Sequence, residues 1–245
     1  MEINKILEIY DKLKDKYGKQ GWWPLINNQT LSCEYCQSEK KISENQFEIS
    51  VGAILTQNTQ WCPNVVRAIQ QLKLLRVLKD EEILLLKQFK KSFVNEKKEK
   101  KNRVIFENAQ NITPNLILNN SEKTIKNCIR PAGYFNQKYK KLKLFSEFFN
   151  KLKNKKPERE ELLNLWGIGL ETADSILLYA YNKPVFVVDA YTERLLLRSK
   201  IINKNFSYDK IQKLIESSIP KDANLYKEFH AFIVEEGKTF KKKQI

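Results

Sequence analysis

The chain has 245 residues, 44 lysines and arginines against 29 aspartates and glutamates, and a formal net charge of +15 at pH 7. That length supports one large or two closely packed domains with their own core and no need of a disulfide staple. With no apolar run of about 18 residues, and with Met1–Asn28 lacking the order of a secretory signal, a membrane-spanning or exported protein is not expected.

The charge excess predicts a positive surface field that attracts polyanions, nucleic acid first and an anionic membrane second. Lysine and asparagine enrichment from an AT-rich genome would produce the same bias, so charge alone names no partner. The expectation is an intracellular, cytoplasmic, nucleoid-associated monomer without membrane contact. Its four cysteines, Cys33, Cys36, Cys62 and Cys128, would stay reduced there.

Glycine and proline number only 7 each. Apolar residues recur at helical spacing between lysine-rich faces, which predicts an all-α protein. In chain order the clear helices cover residues 3–17, 47–55 and 65–72, and then 123–129, 138–152, 160–165, 172–181, 191–198, 208–217 and 226–239. Residues 75–118 carry the weakest pattern. Their lysine block at 97–101 reads as a solvated loop or helix end, with a DNA-tracking arm as the alternative. Asn182-Lys183-Pro184 ends a helix, because proline disfavours a helical predecessor. The β-branched run from Val185 to Val188 has no strand of similar strength to pair with and is expected to be a buried extended connector.

The most informative segment is Leu165-Trp166-Gly167-Ile168-Gly169-Leu170-Glu171-Thr172-Ala173-Asp174. Gly167 and Gly169 bracket one apolar residue, which lets the backbone turn tightly between two helices while Ile168 plugs into the core. Amides at the start of the second helix then lack intrahelical partners, and with the helix dipole they form a docking point for a DNA phosphate. Such a turn also serves as an ordinary helix connection. Twenty residues after Gly169 stands Asp189, entering from four apolar residues. A carboxylate in that partly desolvated setting exerts a strong field, suited to an oxocarbenium-like sugar and an attacking water. The alternative is an N-cap for the next helix.

Leu-x-Gly-Ile-Gly-x-x-Thr-Ala-Asp followed by Pro-Val-Phe-Val-Val-Asp resembles the helix-hairpin-helix DNA glycosylase superfamily that includes endonuclease III. The resemblance implies a two-lobed helical fold with a central six-helix barrel lobe over residues 47–182. Residues 1–46 and 183–245 would form the second lobe. It also implies double-stranded DNA containing a damaged base as partner, Asp189 as the catalytic aspartate, and Gly167, Gly169 and Thr172 at the DNA. Ala53-Ile54-Leu55-Thr56-Gln57-Asn58-Thr59 resembles the segment whose glutamine enters the gap left by a flipped base. The run from Ile129 to Lys138 resembles a second wedge loop, with Gln57 and Tyr134 as wedges and Arg130 and Lys138 meeting phosphates.

Strand-cleaving members carry a lysine two residues beyond the second hairpin glycine. Glu171 stands there, and a carboxylate forms no Schiff base, so hydrolysis without lyase activity is expected. Many relatives hold a four-iron cluster through four cysteines after the last helix. The tail after Thr239 has none, so no cluster is expected, although a structural monovalent cation at the hairpin remains open. Cys33-x-x-Cys36 offers half a zinc site without a visible completion, and no metal site is expected.

Trp22-Trp23-Pro24, Trp61 and His230 are the candidates for the base pocket. An extruded base is held by stacking, and an indole face attracts an alkylated, positively charged purine; equally, tryptophans fill cores. Trp-Trp-Pro, Leu-Thr-Gln-Asn-Thr, Arg-Pro-x-Gly-Tyr-Phe-Asn-Gln-Lys and Phe-His together resemble the cluster-free bacterial 3-methyladenine DNA glycosylases. In that branch the aromatic at Trp61 stacks on the damaged base, whereas Phe232 occupies the place of a lysine near the site. A glycosylase for a mismatched or oxidised base, and a non-catalytic DNA-binding module, are the competing readings.

Overall fold

The computed structural model describes residues 2–35, 43–92, 106 and 108–242. Cys36 and the lysine block at 97–101 lie outside the described residues. The helices are α1 (Glu2–Tyr17), α2 (Ser43–Thr56), α3 (Val66–Leu74), α4 (Asp80–Ser92), α5 (Pro114–Leu118) and α6 (Glu122–Ile129). They are followed by α7 (Phe135–Leu152), α8 (Arg159–Leu163), α9 (Leu170–Ser175), α10 (Ala190–Arg198), α11 (Tyr208–Ser218) and α12 (Ala223–Lys242). Helix α9 runs on into a wider turn of π type, Ile176–Ala180.

Local chemistry sets these boundaries. Ser121 Oγ accepts from Thr124 N at the start of α6, Ser207 Oγ from Lys210 N at the start of α11, and Thr113 Oγ1 from Leu116 N ahead of Pro114 in α5. Each replaces a missing intrahelical partner. A reciprocal capping box between Glu158 and Glu161 opens α8.

One element departs from the all-α expectation. Pro24–Ile26 (β1) and Cys33–Tyr35 (β2) pair as an antiparallel hairpin, with Pro24 opposite Tyr35 and Ile26 opposite Cys33. Strands of three residues are too short to show a period of two in a sequence. Tertiary polar contacts hold the hairpin. The ammonium of Lys73, almost wholly buried on α3, lies 2.6 Å from Glu48 Oε2 and donates to Asn28 Oδ1 at 2.7 Å, while Glu48 Oε1 accepts from Ile26 N at 2.8 Å.

Helix α2 is the hub. Phe47, Ile49, Val51, Ala53, Ile54 and Leu55 are all buried, as an all-round apolar helix requires, and α2 packs on α7, α9 and the turn Ile176–Ala180. Away from that hub, α1 packs on α11 and α12, and α10 packs on α12. Glu228 on α12 accepts from the amides of Gln20 and Gly21 at 2.6 and 2.8 Å, fixing the backbone that leads into Trp22 and Trp23. The residues from Val185 to Val188 form the expected unpaired extended connector, with Phe186, Val187 and Val188 buried. Among the described residues no helix is long and apolar enough to cross a membrane.

Candidate active site and DNA-facing surface

Asp189 caps α10: its Oδ1 accepts from Tyr191 N at 3.0 Å, from Thr192 N at 2.8 Å and from Thr192 Oγ1 at 2.9 Å. The cap and the catalytic reading of this residue are therefore compatible, because they use different oxygens. Oδ2 faces the buried Nε2 of His230 at 3.6 Å, too long for a hydrogen bond. Burial alone would push the Asp189 pKa up. The interaction with His230 and the Thr192 donors outweigh it, so the carboxyl is held below its ordinary value.

On the other side of the imidazole, Nδ1 lies 2.7 Å from the hydroxyl of Tyr179, which is buried in the turn after α9. Burial first, then the charges of Asp189 and Glu228, raise the Tyr179 pKa well above its ordinary value, so the hydroxyl keeps its proton. The Tyr179 hydroxyl also donates to Lys227 O at 3.4 Å, so the imidazole of His230 is held between the phenol on its Nδ1 side and the Asp189 carboxylate on its Nε2 side. Glu171 belongs to the same electrostatic group. It reaches solvent, yet surrounding protein and then Asp189 raise its pKa, while His230 opposes the rise.

Aromatic rings wall this acid–imidazole group. Trp22 lies 6.1 Å from His230 and 6.4 Å from Tyr179, and Trp23 lies 5.2 Å from both Tyr179 and Trp61, all between ring centroids. Trp22 and Trp61 are half-buried, whereas Trp23 and Pro24 are buried and form the floor. Room for them comes from Gly52 on α2, where a Cβ would stand 2.9 Å from Trp23 Nε1 and 3.1 Å from Trp61 Cζ3. Phe232, in place of the branch's lysine, is buried against Tyr10 with ring centroids 6.2 Å apart. A cation still approaches: Lys238 Nζ stands 5.8 Å from the Trp22 ring. Lys183 is turned away in an ion pair with Glu158 at 2.8 Å.

In the hairpin, Gly167 has φ +82°, which favours glycine, and Ile168 is buried as expected. Gly169 differs. Its φ of −97° suits any residue, and a Cβ there would meet nothing within 4 Å, so the fold itself makes no demand for glycine. Trp166, just ahead of Gly167, is 48% exposed and carries Lys140 Nζ 4.3 Å from its ring.

Three of the expected DNA contacts come out differently. Lys138 does not reach a phosphate: its side chain is buried, and Nζ donates to Leu55 O at 2.9 Å and Ala132 O at 2.7 Å. It fastens the end of α2, which leads to Gln57, to the turn that leads to Tyr134. Burial, helped by the charge of Lys141, lowers its pKa to about 8. Gln57 is engaged rather than free: Nε2 donates to Gly167 O at 3.0 Å and Thr172 Oγ1 at 2.9 Å, and Oε1 accepts from Lys141 Nζ at 2.5 Å. Thr172 is thus buried against Gln57 instead of facing outward. Tyr134 stands out at 66% exposure, and Arg130 is exposed with its guanidinium 4.5 Å from the Phe135 ring.

Sequence reasoning missed Tyr179, Gly52, Glu228 and Lys141. Only Tyr179 left a trace, two helical turns beyond Thr172 on the same helix. Among the described residues no group of three or more His, Cys, Asp or Glu could hold a metal ion.

A two-glycine hairpin beside an imidazole-backed carboxylate in an aromatic recess defines a helix-hairpin-helix DNA-binding enzyme of the all-α, endonuclease III-like fold. Residues 51–221 match the HhH-GPD superfamily of base excision DNA repair proteins. A protein of Methanocaldococcus jannaschii described as a candidate DNA repair glycosylase is 37% identical over 100% of this chain and 93% of its own. The H. pylori 3-methyladenine DNA glycosylase, in a crystal structure with bound 1,N6-ethenoadenine, aligns with TM-score 0.61 and 27% identity over 98% of both chains. An endonuclease III trapped covalently on DNA aligns with TM-score 0.57 and 17% identity over 95% of this chain and 84% of its own, a likeness of fold. The chain belongs to the HhH-GPD superfamily and is a DNA glycosylase of that family.

Proposed function

We propose that this enzyme is a monofunctional glycosylase that hydrolyses the N-glycosidic bond of alkylated purines, such as 3-methyladenine, in double-stranded DNA. The observation that carries the reading is the division of labour within Asp189. Oδ1 is held by three donors of α10, and Oδ2 is left facing the imidazole of His230, against which Trp22 packs with ring centroids 6.1 Å apart.

In that arrangement the C1′–N bond breaks with its electron pair going to the base. A base alkylated at N3 departs neutral and needs no strong acid. Asp189 stabilises the positive sugar and orients water toward C1′, accepting its proton as the new C–O bond forms. The half-buried faces of Trp22 and Trp61 suit a cationic purine, and Glu171 and Asp189 add negative potential beside them. Glu171 in place of an amine supports hydrolysis over strand cleavage. On the duplex, the amides that follow Gly169 take a phosphate, Arg130 takes another, and Tyr134 wedges the stack.

The test is a panel of duplexes carrying 3-methyladenine, uracil, 8-oxoguanine or a G·T mismatch. Release of the alkylated purine, with no adduct on borohydride treatment with abasic DNA, is the expected result. Release of uracil, thymine or oxidised guanine in place of alkylated adenine would overturn the substrate assignment. A borohydride-trapped adduct would overturn the monofunctional one.

A further inference from the structure

Building on the reading of Asp189 as catalytic, we propose that Asp174 is a positioning residue. It ties the backbone that carries Asp189 to the second helix of the DNA-gripping hairpin, so that the two act as one unit.

The connector ahead of Asp189 has no strand partner, yet its backbone is buried and its polar groups must be met. Three side chains on one face of α11 meet them. Glu216 Oε1 accepts from Phe186 N at 2.7 Å, Gln212 Nε2 donates to Phe186 O at 2.6 Å, and the Tyr208 hydroxyl accepts from Val188 N at 3.3 Å. Spaced four residues apart, they line up along the helix. Two of the three are held in turn by one atom: Tyr208 OH and Gln212 Nε2 each donate to Asp174 Oδ2 at 2.8 Å.

Asp174 is fully buried on α9, whose N-cap is Gly169. Arg159 of α8 grips it with Nε on Oδ1 at 2.7 Å and Nη2 on Oδ2 at 2.9 Å. A carboxylate needed only to neutralise Arg159 would not have to receive two α11 side chains as well. The extra bonds run from the hairpin helix, through Tyr208 and Gln212, to the residues immediately before Asp189. A one-ångström error at the carboxylate is costly to catalysis, and this chain of contacts guards against it without touching substrate.

Tyr208→Phe removes one hydroxyl and leaves the ring, and Gln212→Met removes one amide; both are gentler than Asp174→Asn, which leaves the half-buried Arg159 guanidinium poorly paired and threatens folding. Two readouts apply. On the lesion the wild type excises, single-turnover rates of Tyr208→Phe and Gln212→Met should fall at least about tenfold, with Kd for a duplex bearing an abasic-site analogue within about twofold. Amide exchange should show residues 186–189 protected by that duplex in the wild type and not in the variants. Wild-type rates and wild-type protection in both variants, with only melting temperature lowered, would overturn the proposal. Protection that depends on Tyr208 in a protein that releases no base would uphold the tie and overturn the catalytic reading of Asp189.

Discussion

Lys138 offers a sharp quantitative prediction. Its ammonium is buried between two carbonyls, and its pKa is lowered from 10.5 to about 8. Between those values the unfolded chain binds more protons than the native one, so stability contributed at this site rises with pH. The penalty for the buried charge is present in full below about pH 8 and gone above about pH 10.5, about 3 kcal/mol across the window at 1.36 kcal/mol per unit. From pH 7 to pH 9 the gain is about 1.4 kcal/mol. Lys138→Met has no such titration but leaves Leu55 O and Ala132 O without their donor, at about 1–3 kcal/mol each. Near pH 7 the lost penalty and the lost bonds offset, and the variant should be within about 1–2 kcal/mol of wild type. At pH 9 wild type should lead by about 1.4 kcal/mol more than it does at pH 7. Urea unfolding of both proteins at the two values measures the double difference, in which tyrosine titration cancels. Parallel stability profiles would refute the reasoning, because they would mean the ammonium pays no desolvation penalty.

Three further outcomes are expected. Gly169→Val should leave the melting temperature within a few degrees of wild type, since its Cβ meets nothing, but should weaken duplex binding at least about tenfold and flatten its salt dependence; unchanged binding in filter or anisotropy titrations would contradict a phosphate at that turn. Gly52→Val should destabilise the fold by about 1–3 kcal/mol and disturb tryptophan fluorescence, because the new side chain presses on Trp23 and Trp61. Asp189→Asn should cut excision at least about 100-fold with duplex binding retained. Since the Asp189 pKa is depressed, its stabilising contribution is present above the ordinary carboxylate range and lost as pH falls through the lower native value. The asparagine variant should therefore show a shallower loss of stability in acid unfolding.

Much of the frame was legible before folding because it rests on local rules. Helical period gave the helices around α1, α2 and α7, proline ended the helix before Val185, and the bracketed Ile168 marked the hairpin. Asp189 could be read from its motif position as a catalytic carboxylate or as a cap, and the structure shows the cap on Oδ1 with Oδ2 left facing His230. The tryptophans proposed for the base pocket could be named but not ranked, since exposure separates Trp22 and Trp61 from Trp23 only after the chain closes.

The rest depends on which groups meet across the chain, and neither composition nor spacing encodes that. Lys138 looked like a surface lysine among others until α2 and the turn after α6 placed two carbonyls against it. Gln57 became a clasp because Lys141 and Thr172, 84 and 115 residues away, bracket its amide. The hairpin and the aspartate were therefore determined by sequence, through backbone conformations and cap chemistry that act over a few residues. Their alignment through Asp174, and the His230–Tyr179 pair behind Asp189, were decided by tertiary packing, where burial removes water and every polar atom must find a partner from a distant segment.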